Sequence, residues 1–204
     1  MPEFTKKEIN LFKKLNTPAK VQDFLQSIPI NFEHDGKNTA KSPLYVIRHN
    51  SAHCIEGAVL GAYILSTHGY KPLLMHLKTT NGDMDHAIAP FKQNGYWGAL
   101  AKTNHAVLGY RDPVYKTIRE LAMSYFHEYF LNNGKKTLVG YTQPINLNTF
   151  ENDWVYTNEN LWGIDESLST AKHYDIAPKQ NMQNLRKVDK VVIEAGNVVQ
   201  FLDK

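Results

Sequence analysis

The hydrophobic pattern of the chain is dominated by an apolar run from Ala58 to Leu65. Apolar residues cover nearly every side of a helix built on this run, which is typical of a helix buried on most sides. Gly69 supplies the left-handed residue that commonly ends a helix. Asn50 and Ser51 are suitable N-caps, so the pattern predicts a buried helix with Cys54 in its first turn.

After this helix, the hydrophobic pattern changes from the period of a helix to the period of a strand. Residues 73–80 predict one strand, and residues 84–93 predict a second. The Asn94-Gly95 pair is a strong hairpin signal. It predicts a two-residue turn in which Gln93 faces Tyr96, the first residue of a returning strand.

Further helices are predicted on both sides of this segment. One covers Phe4 to Leu15, and Thr17-Pro18 begins a second. The polar stretch from Asn31 to Ser42 predicts a loop that can lie along a cleft. Asp112-Pro113 begins the longest helical pattern, which continues to Phe130.

Length and composition limit the classes of protein that fit. The chain has 204 residues, of which 42% are hydrophobic, and no repeat or linker interrupts it, so we expect residues 1–204 to form one domain. The net charge is +3, from 23 basic and 20 acidic residues without a basic cluster, which predicts no nucleic-acid and no membrane partner. The longest apolar run is far shorter than the roughly 20 residues of a membrane helix. One cysteine, and no apolar signal core at the start, predict a cytoplasmic protein.

The residues that carry chemistry are Cys54 and His86. A thiol in the first turn of a helix lies among unpaired N–H groups at the positive end of the dipole, which favours the nucleophilic thiolate. A histidine on a facing strand can act as its general base. The sequence therefore predicts Cys54 as nucleophile and His86 as base. Glu56 is interpreted as a first-turn carboxylate that stabilises the helix, and His53 and His105 as structural or surface residues.

A third residue would orient the imidazole of His86. In a two-residue hairpin, the strand register puts His86 opposite Thr103, and one extra residue would move it opposite Asn104. Asn104 is the preferred candidate because its amide oxygen can hold the imidazole tautomer. Thr103 and Asp112 remain as alternatives, although Asp112 is also a suitable N-cap for the following helix.

Several short segments together carry a resemblance to a known family. They are Cys54-Ile55-Glu56-Gly57-Ala58, the helix end at Gly69, Tyr70-Lys71-Pro72, Asp85-His86-Ala87 and Gly95-Tyr96-Trp97. This set resembles the transglutaminase-like core of the papain-like cysteine enzymes, over roughly residues 45–112. The resemblance implies an α+β fold in which an antiparallel sheet packs against a helix bearing the cysteine at its start, with additional helices at both ends. It also implies a triad of Cys, His and an Asp or Asn on the next strand.

Two functions follow from these observations. The resemblance implies a cysteine-dependent amide hydrolase or acyl transferase, acting on a peptide or an amide-bearing small molecule without a cofactor. The alternative is a transglutaminase-like binding module without catalysis, which is favoured by the lack of an Asp shortly after Trp97. A metal site is disfavoured because the spacing of the candidate ligands matches no compact zinc pattern; they are His49, His53, Asp83, Asp85, His86 and His105. The substrate, hydrolysis versus transfer, and the oligomeric state stay open.

Overall fold

An antiparallel seven-stranded sheet with helices on both faces forms the framework of the protein. The computed structural model describes residues 3–34, 36–80 and 82–203, apart from the side chain of Asn152. The α+β class and the antiparallel sheet that the sequence predicts are therefore confirmed. No helix formed by the described residues is long and apolar enough to cross a membrane.

The strands are β1 (Leu73–Thr79), β2 (His86–Gln93), β3 (Tyr96–Leu100), β4 (Arg111–Tyr115), β5 (Leu138–Thr142), β6 (Ile145–Asn146) and β7 (His173–Asp175). Their order in the sheet is β4-β3-β2-β1-β5-β7, and the short β6 pairs with the first two residues of β1. The helices are α1 (Lys6–Lys14), α2 (Pro18–Ser27), α3 (Pro43–His49), α4 (Cys54–Ser66), α5 (Ile118–Met123), α6 (Trp162–Thr170), α7 (Lys179–Gln183) and α8 (Lys190–Gly196).

The hairpin between β2 and β3 has the predicted register. Gln93 lies opposite Tyr96, which confirms a two-residue turn. Asn94 and Gly95 have φ angles of 50° and 86°, the left-handed pair that such a turn requires. β3 ends at Leu100, so the chain leaves the regular ladder before it reaches the residues considered as the third member of a triad.

Two hydrophobic cores lie on opposite faces of the sheet, because successive side chains of a strand point to opposite sides. In β2, Ala87, Ala89 and Phe91 pack in the core that contains α4. Ile88 packs in the other core, which contains α5. The strand is thus buried on both faces. His86, at its first position, has the parity of Ile88 and not that of Ala87.

The helix α4 is the buried helix that the apolar run predicts, and it begins at Cys54. Gly69 follows it with a φ of 86°, as expected of the residue that ends a helix. The predicted caps, Asn50 and Ser51, are wrong, because the N-cap is His53. Residues 43–49 form the separate helix α3, and Asn50 is its left-handed C-cap, with a φ of 48°.

The predicted long helix from Asp112-Pro113 to Phe130 is also wrong. Its first part is β4 at the edge of the sheet, where a proline removes no necessary ladder hydrogen bond. A helix begins only after Thr117, whose hydroxyl accepts a hydrogen bond from the backbone N–H of Glu120 at 3.1 Å. The helix ends at Met123, and a 3-10 turn follows. The apolar spacing belongs to several short elements that pack on the second core.

Gly57 allows α4 to lie directly against Lys102. A Cβ atom on Gly57 would lie 2.3 Å from the Cβ of Lys102, well inside contact distance. Lys102 has little room to move, since its side chain is buried and its ammonium donates to the backbone carbonyl of Ile28. We expect Gly57→Ala to lower the free energy of unfolding by about 1–3 kcal/mol, measured by urea denaturation.

The matched control is Gly163→Ala in the exposed part of α6, where a Cβ would meet nothing within 4 Å. It should be neutral or raise the free energy of unfolding by up to about 1 kcal/mol, because alanine is the better helix former. Equal stabilities of the two variants would show that α4 can move away from Lys102 without cost.

Candidate active site

The Cys54 thiol occupies the first position of α4 and is partly exposed. The segment before it is fixed by backbone hydrogen bonds to a neighbouring strand-like segment. The N–H of Ala52 donates to Pro29 at 3.0 Å, and the N–H of Asn31 donates to Ala52 at 3.1 Å. The first N–H groups of a helix have no partner within the helix. The sulfur therefore lies at the positive end of α4, as the sequence predicts, on a well-anchored backbone.

His86 begins β2 directly opposite Leu77 of β1, and its side chain is 7% exposed. The imidazole lies near enough to the Cys54 thiol to lower the pKa of that thiol. Its Nε2 is buried and has no well-formed hydrogen bond to any described residue. Such loose geometry is common in free enzymes, whose catalytic hydrogen bonds tighten when substrate binds. His86 is therefore near the thiol and has a buried ring nitrogen that bonds to no described residue.

His53 is a second imidazole beside the thiol, and the sequence-based interpretation of it as a structural or surface residue overlooked this contact. Its Nε2 lies 2.8 Å from the backbone carbonyl of Thr39, so this nitrogen must carry the hydrogen. The same nitrogen lies 3.5 Å from a carboxylate oxygen of Glu33 and 3.6 Å from one of Glu56. The one sequence signal for this contact is the position of His53. It directly precedes the cysteine that begins the helix, so it is the N-cap.

The two imidazoles control the ionisation of the thiol. Burial alone would raise the pKa of Cys54, but hydrogen bonds and positive charge from His53 and His86 lower it to about 5. Burial likewise acts to lower the pKa of His53, but its bond to Cys54 and the negative charges of Glu56 and Cys54 raise it to about 9. Between these values the stable form is a thiolate beside an imidazolium.

Glu56 is a buried carboxylate that joins this site to the loop from Asn31 to Ser42. Its oxygens accept hydrogen bonds from the Thr39 hydroxyl at 2.7 Å, the Lys41 backbone at 3.0 Å and the His53 backbone at 3.1 Å. The Asn31 amide donates to it at 3.2 Å, and the Lys41 ammonium lies 3.6 Å away. The loop is therefore anchored to the start of α4. Position 35, within it, lies outside the described residues.

Asn104, the preferred third member of the triad, bonds elsewhere in the structure. Its amide nitrogen donates to the carbonyl of Phe201 at 2.9 Å, and its amide oxygen accepts from the N–H of Phe201 at 2.8 Å. The Thr103 hydroxyl accepts from the N–H of His105 at 3.1 Å, and Asp112 lies in the edge strand β4. These contacts give no support to any of the three as the residue that orients His86.

Tyr129 places a second unpartnered polar group near the thiol. Its hydroxyl is buried and has no hydrogen bond to any described residue. Burial, and then the negative charge of the Cys54 thiolate, raise the pKa of this phenol well above its ordinary value. The phenol thus stays protonated and can donate a hydrogen bond. No local sequence signal indicates that Tyr129 lies near the thiol, because its spacing fits the helical pattern predicted for this segment.

Two cavities of the protein lie away from the sulfur. One, of about 670 Å³, is at the other end of α4, and its lining includes His68, Tyr70 and Trp97. The other, of about 300 Å³, borders the anchored loop, and its lining includes Asn31 and Thr39. Neither cavity is lined by Cys54 or His86.

A further pair of histidines lies on the sheet. The Nδ1 of His76 and the Nε2 of His173 are 2.9 Å apart, so one ring donates to the other, and Asp85 lies 3.6 Å from the Nε2 of His76. Within residues 3–34, 36–80 and 82–203, no three His, Cys, Asp or Glu side chains are arranged to hold a metal ion. The pair is therefore a local hydrogen-bonded feature of the sheet.

The sequence matches no protein-family model and no curated protein. The features of the site that bear on function are the thiol at the start of α4 and the two imidazoles near it.

Proposed function

We propose that this protein is a cysteine-dependent acyl-transfer enzyme, an amide hydrolase or an acyl transferase, with Cys54 as the nucleophile. The observation that carries the proposal is the contact of one partly exposed thiol with two imidazoles, which keeps its pKa at about 5 against the opposing effect of burial. A buried structural cysteine has no such partners, and a raised pKa makes it inert.

The acylation step uses the thiolate and a protonated His86. The sulfur of Cys54 attacks the carbonyl carbon of an amide and forms a C–S bond, and the carbonyl oxygen takes up the negative charge. When the C–N bond breaks, His86 gives its proton to the leaving nitrogen. The products are a thioester on Cys54, a free amine and a neutral His86.

The deacylation step restores the enzyme. The neutral His86 removes a proton from water, the oxygen attacks the thioester, and the C–S bond breaks to release the acid and the thiolate. An amine that replaces water in this step would receive the acyl group, which is how the same site would act as a transferase. The available Nε2 of His86 supports this role, since it is not committed to another described residue.

The charge on the oxygen of the tetrahedral intermediate needs hydrogen-bond donors. The unpaired N–H groups at the start of α4, including that of Cys54, lie where donors of this kind are required. The cysteine on a helix start and the histidine on an antiparallel strand support a papain-like, transglutaminase-like arrangement of the site. A peptide or an amide-bearing small molecule is the substrate class that this arrangement would fit.

The first test is the pH dependence of thiol alkylation. The chain has one cysteine, so iodoacetamide labels a single thiol. We expect the labelling rate of the folded protein to reach half its maximum near pH 5, following the pKa of Cys54. The same protein unfolded in urea should show the ordinary thiol midpoint, about 8.5.

The second test detects the acyl-enzyme directly. Incubation with 4-nitrophenyl acetate should give a burst of nitrophenolate and an intact mass increased by one acetyl group, which hydroxylamine removes. Cys54→Ser should show neither signal. A folded protein whose thiol labels like the unfolded one, and which forms no acyl-enzyme, would instead be the binding module that lacks catalysis.

A further inference from the structure

We propose that His53 is a positioning residue that holds a fixed positive charge against the Cys54 sulfur, while His86 alone moves the proton. This inference deepens the proposed function and rests on it for the role of His86. Sequence analysis assigned proton transfer to His86 alone, because it is the one of the two histidines on a predicted strand that faces the helix.

The contacts of His53 fix its hydrogen on Nε2. A carbonyl oxygen can only accept, and that of Thr39 lies 2.8 Å from this nitrogen. Carboxylate oxygens of Glu33 and Glu56 lie 3.5 and 3.6 Å from the same atom. A ring held in this way uses its other nitrogen towards the sulfur, and two carboxylates behind it favour the protonated form. The second proton of the imidazolium is then carried on Nδ1.

The other charges around His53 are consistent with a lasting positive charge. Asp165 of α6 lies near enough for the charge of His53 to act on it. The positively charged neighbour on this side is Lys41, which lies 3.6 Å from Glu56 and donates to the backbone of Ser51. His86 approaches the sulfur from the sheet. The negative groups that face His53 thus outnumber the positive one.

Hydrogen bonds also restrain the ring of His53, so it cannot move with the leaving nitrogen of a substrate. Its backbone N–H donates to Glu56 at 3.1 Å and its ring to Thr39, and Glu56 and Thr39 are themselves hydrogen-bonded to each other at 2.7 Å. Loss of the second ring proton, that on Nδ1, would leave a neutral ring near the carboxylates of Glu33 and Glu56, whose negative charges oppose that loss. His86 has no comparable network, since its Nε2 lacks a described partner.

The experiment compares His53→Gln with a matched control in the pH dependence of iodoacetamide alkylation. Glutamine can still donate to Thr39 but carries no charge, so the midpoint should rise by about two pH units and the rate at about pH 6 should fall roughly tenfold. The control is His68→Gln near the end of α4, where Nε2 also contacts a backbone carbonyl, that of Phe12, at 2.8 Å. It should leave the midpoint unchanged.

A measurement on the unmodified protein guards against a variant that does not fold. NMR of ¹⁵N-labelled imidazole rings should show His53 protonated until the pH approaches its pKa of about 9. An unchanged midpoint in folded His53→Gln, or a ring that titrates near the ordinary value of about 6.5, would overturn the proposal.

The acyl-enzyme assay separates this inference from the proposed function. A shifted midpoint in His53→Gln together with no acyl-enzyme in the unmodified protein would retain the charge role of His53 and reject catalysis. An acyl-enzyme with an unshifted midpoint would retain catalysis and reject the role of His53.

Discussion

His86→Ala is expected to lower kcat for amide turnover by about 10²–10⁴-fold, the usual contribution of a general acid and base. The loss should fall mainly on kcat, because the missing proton transfer belongs to the transition state and not to substrate binding. Alkylation of Cys54 near neutral pH should fall far less, since His53 continues to stabilise the thiolate. Steady-state kinetics beside an iodoacetamide assay measures both effects.

The control for His86→Ala is His127→Ala. His127 is exposed, and its ring packs only edge-on against Phe126, with 5.1 Å between ring centroids. Turnover by this variant should stay within about twofold of that of the unmodified protein, because substitutions of exposed residues away from the site usually have small effects. If His86→Ala turned over amides like the control, the proton would have to move through another group and the proposed mechanism would be wrong.

The parts of the fold that local signals determine could be predicted from the sequence. The apolar run fixed α4 and placed Cys54 in its first turn, and Asn94-Gly95 fixed the hairpin register. Both depend on interactions within a few residues, such as backbone conformation and side-chain period. The position of Cys54, and the strand that carries His86, followed from these two features.

The helix predicted from Asp112-Pro113 is wrong because another part of the chain decides the structure there, and the role predicted for Asn104 stays a prediction. Asp112-Pro113 has a good helix-start signal, yet pairing of the following residues with β3 makes this segment a strand. Asn104 has the right chemistry to orient an imidazole, but Phe201, 97 residues away, takes both ends of its amide. No pattern within either segment indicates these contacts.

The electrostatic part of the site was the least predictable. His53 and Glu56 lie within two residues of Cys54 in the sequence, and the local interpretation makes His53 a structural or surface residue and Glu56 a first-turn carboxylate that stabilises the helix. Their roles at the thiol depend on Thr39 and Lys41 of the loop, which reach the start of α4 only in the folded protein. A loop with few apolar residues gives no sign that it will bury a carboxylate.

Glu56→Ala is expected to have the largest effect on stability, lowering the free energy of unfolding by about 3–5 kcal/mol. The side chain of Glu56 is fully buried, and its oxygens are the shared acceptors of donors from the loop and from α4. Removal would leave the backbone N–H groups of Lys41 and His53 and the Lys41 ammonium without this acceptor. Buried unpaired donors of this kind each cost about 1–3 kcal/mol.

Urea denaturation beside Glu166→Ala tests this expectation. Glu166 is an exposed residue of α6, so its loss should change the free energy of unfolding by no more than about 0.5 kcal/mol. Glu56→Gln adds a second comparison, because it keeps the shape but turns an NH₂ group towards donors that need an acceptor. It should therefore also be destabilising, and it should raise the alkylation midpoint of Cys54 by weakening the positive charge on His53. A Glu56→Ala variant as stable as Glu166→Ala would mean that the loop is held to α4 by other contacts, and that the charge on His53 does not depend on this carboxylate.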